Sequence, residues 1–113
     1  MIRLLIAAMF LFRVGAASSP PDLERGRLVY LLRCAECHGR DGRGDGRAAE
    51  FMTPRPRDLT AGTFKIRSTA SGELPTDEDL LRTVTRGMPG TRMPGWEFLP
   101  ESDRRAVVAY LKM

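Results

Sequence analysis

The chain has 113 residues, 42% hydrophobic and 28% charged, with a formal net charge of +4. That is one domain at most, of ordinary globular composition, and it excludes a chain disordered throughout. So small a positive excess argues against nucleic acid as a partner, because phosphate binding needs many clustered cations.

At the amino terminus Arg3 precedes an apolar run from Leu4 to Phe12, and small residues follow at Gly15, Ala16 and Ala17. Basic, apolar and small-residue regions in that order are the pattern of a secretory signal peptide, here 1–17. A membrane anchor is the alternative, but the run falls well short of the roughly 20 apolar residues that span a bilayer. Cleavage after Ala17 leaves a single domain, 18–113, and export makes the periplasm the expected location. A domain this short buries a modest core and often recruits a disulfide, metal or cofactor to hold its fold.

Pro20 and Pro21 introduce DLERGRLVYLLR, with Leu23, Gly26 and Tyr30 near helical spacing and acids at 22 and 24. A helix from about Asp22 to Arg33 is expected, running into Cys34-Ala35-Glu36-Cys37-His38. Both cysteines and the single histidine of the chain lie in those five positions. On a continued helix Cys34, Cys37 and His38, at i, i+3 and i+4, share one face.

A thioredoxin-like pair expects a preceding strand and a surrounding sheet, and here a helix precedes. A zinc site needs four ligands, and no second pair is present. A disulfide between cysteines three apart closes too short a loop to stabilise much. Only the c-type haem attachment signature, C-x-x-C-H, accounts for the adjacent histidine: two thiols form thioethers with the haem vinyl groups and the imidazole takes an axial iron position. The expected cofactor is one covalent haem c with its iron, held by Cys34, Cys37 and His38.

Glycines dominate GRDGRGDGR, so a loop follows, then a short helical turn within Arg47 to Met52. The proline-rich TPRPRDLTAGTF has no periodicity and reads as extended chain. Arg40, Arg43, Arg47, Arg55 and Arg57 concentrate in these loops, as solvated charge or as a patch for an acidic partner. Thr76 looks like a helix cap, with Asp79 three residues on and acids filling the first turn. A metal site is the weaker reading of those acids. The helix runs through LLRTVTR and stops at Gly87. A last helix, ESDRRAVVAYLKM, puts Val107, Tyr110 and Leu111 on one face. No stretch alternates as a strand.

The chain resembles the class I cytochromes c, specifically small bacterial single-haem members. The resemblance rests on Gly26-x-x-x-Tyr30 before Cys34, CAECHG, Gly44-Asp45-Gly46, GMPGTRMPGW at 87–96 and VVAYLK at 107–112. It implies an all-α cytochrome c fold of about three main helices around one haem, with Gly26 allowing close approach of Tyr110. It also implies a methionine as sixth iron ligand. Met93, in a loop pinned by Pro89, Gly90 and Pro94, is the expected ligand, with Met88 as the alternative. Trp96, Arg67 and Arg92 are weaker candidates for contact with the haem or its propionates.

The expected function is single-electron transfer, with no enzymatic activity and no small-molecule substrate. Redox proteins are the expected partners, a membrane respiratory complex among the candidates. Two alternatives stand beside it. One is a haem protein with an open sixth position, acting as a gas sensor or peroxidase-like enzyme. The other is a haem-free exported thiol or disulfide module.

Overall fold

Asp22 caps the first helix of the computed structural model, which describes residues 22–113. Its carboxylate accepts the Arg25 N–H at 2.9 Å, supplying a partner to one of the amides that a helix leaves open at its start. Helix α1 spans Leu23–Arg33, α2 is the single turn Ala35–His38, α3 spans Asp77–Arg86 and α4 spans Glu101–Leu111. Short 3-10 turns occupy Ala49–Phe51 and Leu59–Ala61, the first inside the expected 47–52 turn. The described residues contain no strand, so the fold is all-α as expected. The expected signal peptide, 1–17, lies outside the described residues. No described helix is long and apolar enough to cross a membrane.

The architecture is set by the crossing of α1 and α4. A Cβ on Gly26 would overlap the Ala106 carbonyl and come within 2.9 Å of Tyr110 Cβ, so the two backbones approach where only glycine fits. One turn on, the Tyr30 ring packs 5.5 Å from that of Tyr110, centroid to centroid, in a tilted pair. Arg25 clamps the same crossing, donating to both Asp103 oxygens at 3.0 and 2.8 Å.

Helix α3 lies against α4, and the three long helices share one core of Val29 and Tyr30, Leu80, Leu81 and Val84, and Val107 and Val108. Tyr110 and Leu111 flank it, so the expected apolar face of α4 is present. The start of α3 carries a full capping box: Thr76 Oγ1 accepts the Asp79 N–H at 3.1 Å, and Asp79 Oδ2 accepts the Thr76 N–H at 3.0 Å. Asp79 caps the helix, Glu78 pairs with Arg105 at 3.1 Å and Asp77 with Lys112 at 2.6 Å, and the described residues hold no cluster fit for a metal ion.

Candidate functional site

The helix expected to run into the cysteines breaks at Cys34, whose amide still donates to the Tyr30 carbonyl at 2.8 Å. Helix α2 restarts at once, with the Cys37 and His38 amides both donating to the Cys34 carbonyl, so the three side chains stay on one short turn. A single turn leaves its last carbonyls without helical partners. The loop after it folds back and supplies them: Gly44, Gly46 and Ala48 amides donate to the carbonyls of His38, Cys37 and Glu36 at 2.8, 3.1 and 3.0 Å. A side chain at Gly46 would collide with the Ala35 and Glu36 carbonyls, which explains the Gly-Asp-Gly stretch. Tyr30 completes the cradle, its hydroxyl donating to the Gly39 carbonyl at 2.5 Å.

His38 is fixed from the other side. Its Nδ1 lies 3.0 Å from the Arg57 carbonyl, and a carbonyl only accepts, so Nδ1 carries the proton and Nε2 keeps its lone pair. Burial pushes the imidazole pKa below its ordinary value, favouring the same neutral form. The Arg57 guanidinium braces its own loop by donating to the Thr63 carbonyl at 2.8 Å. Cys34 and Cys37 are both free and half-buried. Burial raises the Cys34 thiol to about 11 and shifts Cys37 in the same direction, so both remain protonated at neutral pH.

Met93 stands on the loop between α3 and α4. Gly87, at φ 69°, ends α3, and a Cβ there would lie 2.6 Å from Met93 O, Pro94 C and Gly95 N. The returning chain therefore lies flat on the helix end, held also by the Trp96 amide donating to the Val84 carbonyl at 2.9 Å. The Met88 and Met93 side chains are both half-buried, and the Met88 amide donates to the Met93 carbonyl at 3.2 Å.

Trp96 lies on the same loop as Met93 and is half-buried. Its ring packs on the core that Cys34 and Ala35 also border, and the Arg33 guanidinium lies 5.8 Å from its centroid. Arg67 is taken up within its own loop, donating to the Phe64 and Ala70 carbonyls, whereas Arg92 is exposed. Arg40, Arg43, Arg47 and Arg55 are exposed as well. Two contributors escaped the sequence reading. The Arg57 carbonyl is a backbone group, which any residue type supplies, and the Thr91 hydroxyl becomes significant only once the loop is closed.

The sequence model of the family described as Cytochrome c matches residues 23–113. The chain belongs to the cytochrome c family. Two proteins named cytochrome c55X, from Stutzerimonas stutzeri and from Paracoccus denitrificans (strain Pd 1222), are each 32% identical to it over 114 residues. The matches cover 96% of this chain and 80% of the first relative, and 98% and 94% for the second. A chain in the solved reducing HAO-like protein complex of Kuenenia stuttgartiensis superimposes with a TM-score of 0.77 at 48% identity, covering 79% of this chain. The match spans 40% of that longer chain.

Membership of the cytochrome c family implies haem c and haem-based electron transfer. The side chains suit that group: two protonated thiols not tied in a disulfide, an imidazole whose Nε2 lone pair is left for a metal, and a half-buried thioether on a closed loop.

Proposed function

We propose that this cytochrome c is a periplasmic single-electron carrier holding one haem c. Cys34 and Cys37 would hold it as thioethers, and His38 Nε2 and the Met93 sulfur would bind its iron. The observation that carries this reading is the Nδ1 hydrogen bond of His38 to the Arg57 carbonyl, which selects the tautomer and orients the ring for ligation. The haem, when bound, supplies an iron that cycles between ferric and ferrous.

The residues of the chain do the rest. Arg57 and the Gly39 to Ala48 loop hold His38 in place, so ligation meets little reorganisation. A Met93 thioether favours the ferrous state and raises the potential, as suits a carrier. The one histidine of the chain is committed as a ligand, leaving no imidazole for acid-base chemistry at the other face. That supports a carrier over a peroxidase-like enzyme or a gas sensor. The basic, apolar and small-residue order of the first 17 residues supports export, and other redox proteins are the partners such a carrier needs.

The test is the visible spectrum of the purified exported protein, ferric and ferrous, with and without carbon monoxide. A low-spin ferrous spectrum indifferent to the gas is expected. A prompt shift would mean an open sixth position and would turn the reading to sensing or catalysis, and a colourless protein from a host competent in haem attachment would sink it. His38→Ala is expected to abolish the low-spin spectrum. An unchanged spectrum would remove His38 from the iron.

A further inference from the structure

We propose that Met88 is a second thioether ligand for the iron position assigned to Met93, the two sulfurs competing for one axial site. This rests on the reading of Met93 as an axial ligand. The loop repeats itself: Met88-Pro89-Gly90 returns as Met93-Pro94-Gly95 after Thr91 and Arg92. Each methionine precedes a proline, which steers both toward extended backbone. The Met88 amide donates to the Met93 carbonyl at 3.2 Å, and Thr91 closes the turn between them, its amide and hydroxyl donating to the Met88 carbonyl at 3.0 and 2.7 Å. Residues so paired stand side by side, as neighbours across a hairpin do, with Cβ atoms about 5 Å apart.

The burial of Met88 is not that of a core filler. Trp96 and Leu99 from the same loop pack on the three-helix core, and neither Met88 nor Met93 is among the half-buried side chains that do so. Both methionines are nevertheless half-buried. A thioether arm is unbranched and turns about three bonds, so it reaches a nearby point in more than one rotamer. The two triplets differ in their footing. A Cβ on Gly95 would lie 2.7 Å from the Thr85 carbonyl, whereas one on Gly90 would meet nothing within 4 Å. Met93 therefore stands on chain packed against the end of α3, and Met88 precedes a free joint. That footing makes Met93 the resident ligand and leaves Met88 room to adjust when Met93 lets go. With two thioethers in reach, the loss of one leaves the sixth position filled and closed to small ligands.

The experiment compares wild-type holoprotein with Met88→Leu, Met93→Leu and the double variant. Leucine keeps the bulk of methionine and lacks the sulfur. The readouts are the weak ferric methionine-to-iron charge-transfer band, the response of the ferrous spectrum to carbon monoxide, and far-ultraviolet circular dichroism, which checks the fold. Should Met93→Leu lose its helical signal, Met93→Ala takes its place. Each single variant is expected to keep a charge-transfer band, shifted in Met93→Leu, and to withstand carbon monoxide at concentrations that saturate the double variant, which loses the band. If Met93→Leu loses the band and binds the gas as readily as the double variant, while Met88→Leu matches wild type, Met93 stands as the ligand and the proposal falls. If Met88→Leu alone loses the band, Met88 is the sole ligand, and the proposal falls together with the assignment of Met93. A double variant that keeps the band removes both methionines from the iron and overturns both readings.

Discussion

Asp79 carries a charge on a side chain only 3% exposed, and the donors gathered on one of its oxygens offset the cost of burying that charge. Its Oδ2 accepts from the Ser68 amide at 2.8 Å, the Ser68 hydroxyl at 2.9 Å and the Thr76 amide at 3.0 Å. Those hydrogen bonds, the Ser68 amide foremost, pull its pKa down to about 2. A carboxylate whose folded pKa is depressed stabilises the fold above its unfolded pKa, about 3.9, and the contribution is lost as pH falls through the folded value. Wild-type stability is therefore expected to decline between about pH 4 and pH 2. Asp79→Asn is expected to be less stable at neutral pH and to lose much of that acid slope. Denaturant midpoints against pH check it, and an unaltered slope would show that Asp79 is not the group responsible. The sequence disclosed the capping half of this role through Thr76-x-x-Asp79. Ser68 lies 11 residues away with no motif joining it to Asp79, so that half emerges only when the loop docks.

Helices α1 and α4 show how one residue fixes the placement of a whole element. Glycine inside a helix costs roughly 1 kcal/mol relative to alanine, so Gly26→Ala would favour an isolated α1. In the folded chain the added methyl collides with the Ala106 carbonyl and Tyr110 Cβ, and the overlap falls on backbone and the root of a side chain, which cannot swing away. The helices must separate, and Gly26→Ala is expected to destabilise by about 1 to 3 kcal/mol, as overpacked sites do. A denaturant titration decides the sign, and a more stable variant would mean that the crossing is looser than it stands here. The Gly26 and Tyr110 pairing was readable from the residues that resemble the family. The Arg25 clamp on Asp103 was not, because neither end of a contact spanning 78 positions has a local pattern.

At the scale of the molecule, the described residues build a small core from short stretches of three helices, while Phe51, Ile66, Leu74 and Phe98 remain exposed. The long segment from Gly39 to Pro75 contributes two 3-10 turns and little to that core. A domain built so is expected to depend on its cofactor for order. Cys34→Ala/Cys37→Ala, expressed without haem attachment, is expected to lose much of its helical ellipticity and its cooperative thermal transition. Circular dichroism of that variant beside the holoprotein checks this, and a native-like melt would mean that the three-helix core suffices alone.

Local chemistry was legible from residue order: Cys34, Cys37 and His38 need only their spacing to declare a haem signature, and Asp22, Thr76 and Gly87 mark helix ends through interactions within a few positions. The expectation of Met93 rather than Met88 came from the family resemblance and the loop context, but the clasp that holds that loop could not be read, since it depends on the return of chain at 93–95 onto the end of α3. The carbonyl that orients His38 belongs to the same class. It comes from Arg57, 19 positions on, and any residue placed there by the fold would offer the same oxygen. Side-chain identity is written in the sequence, whereas the pairing of backbone groups across long loops is a consequence of packing, and packing exists only in the folded chain.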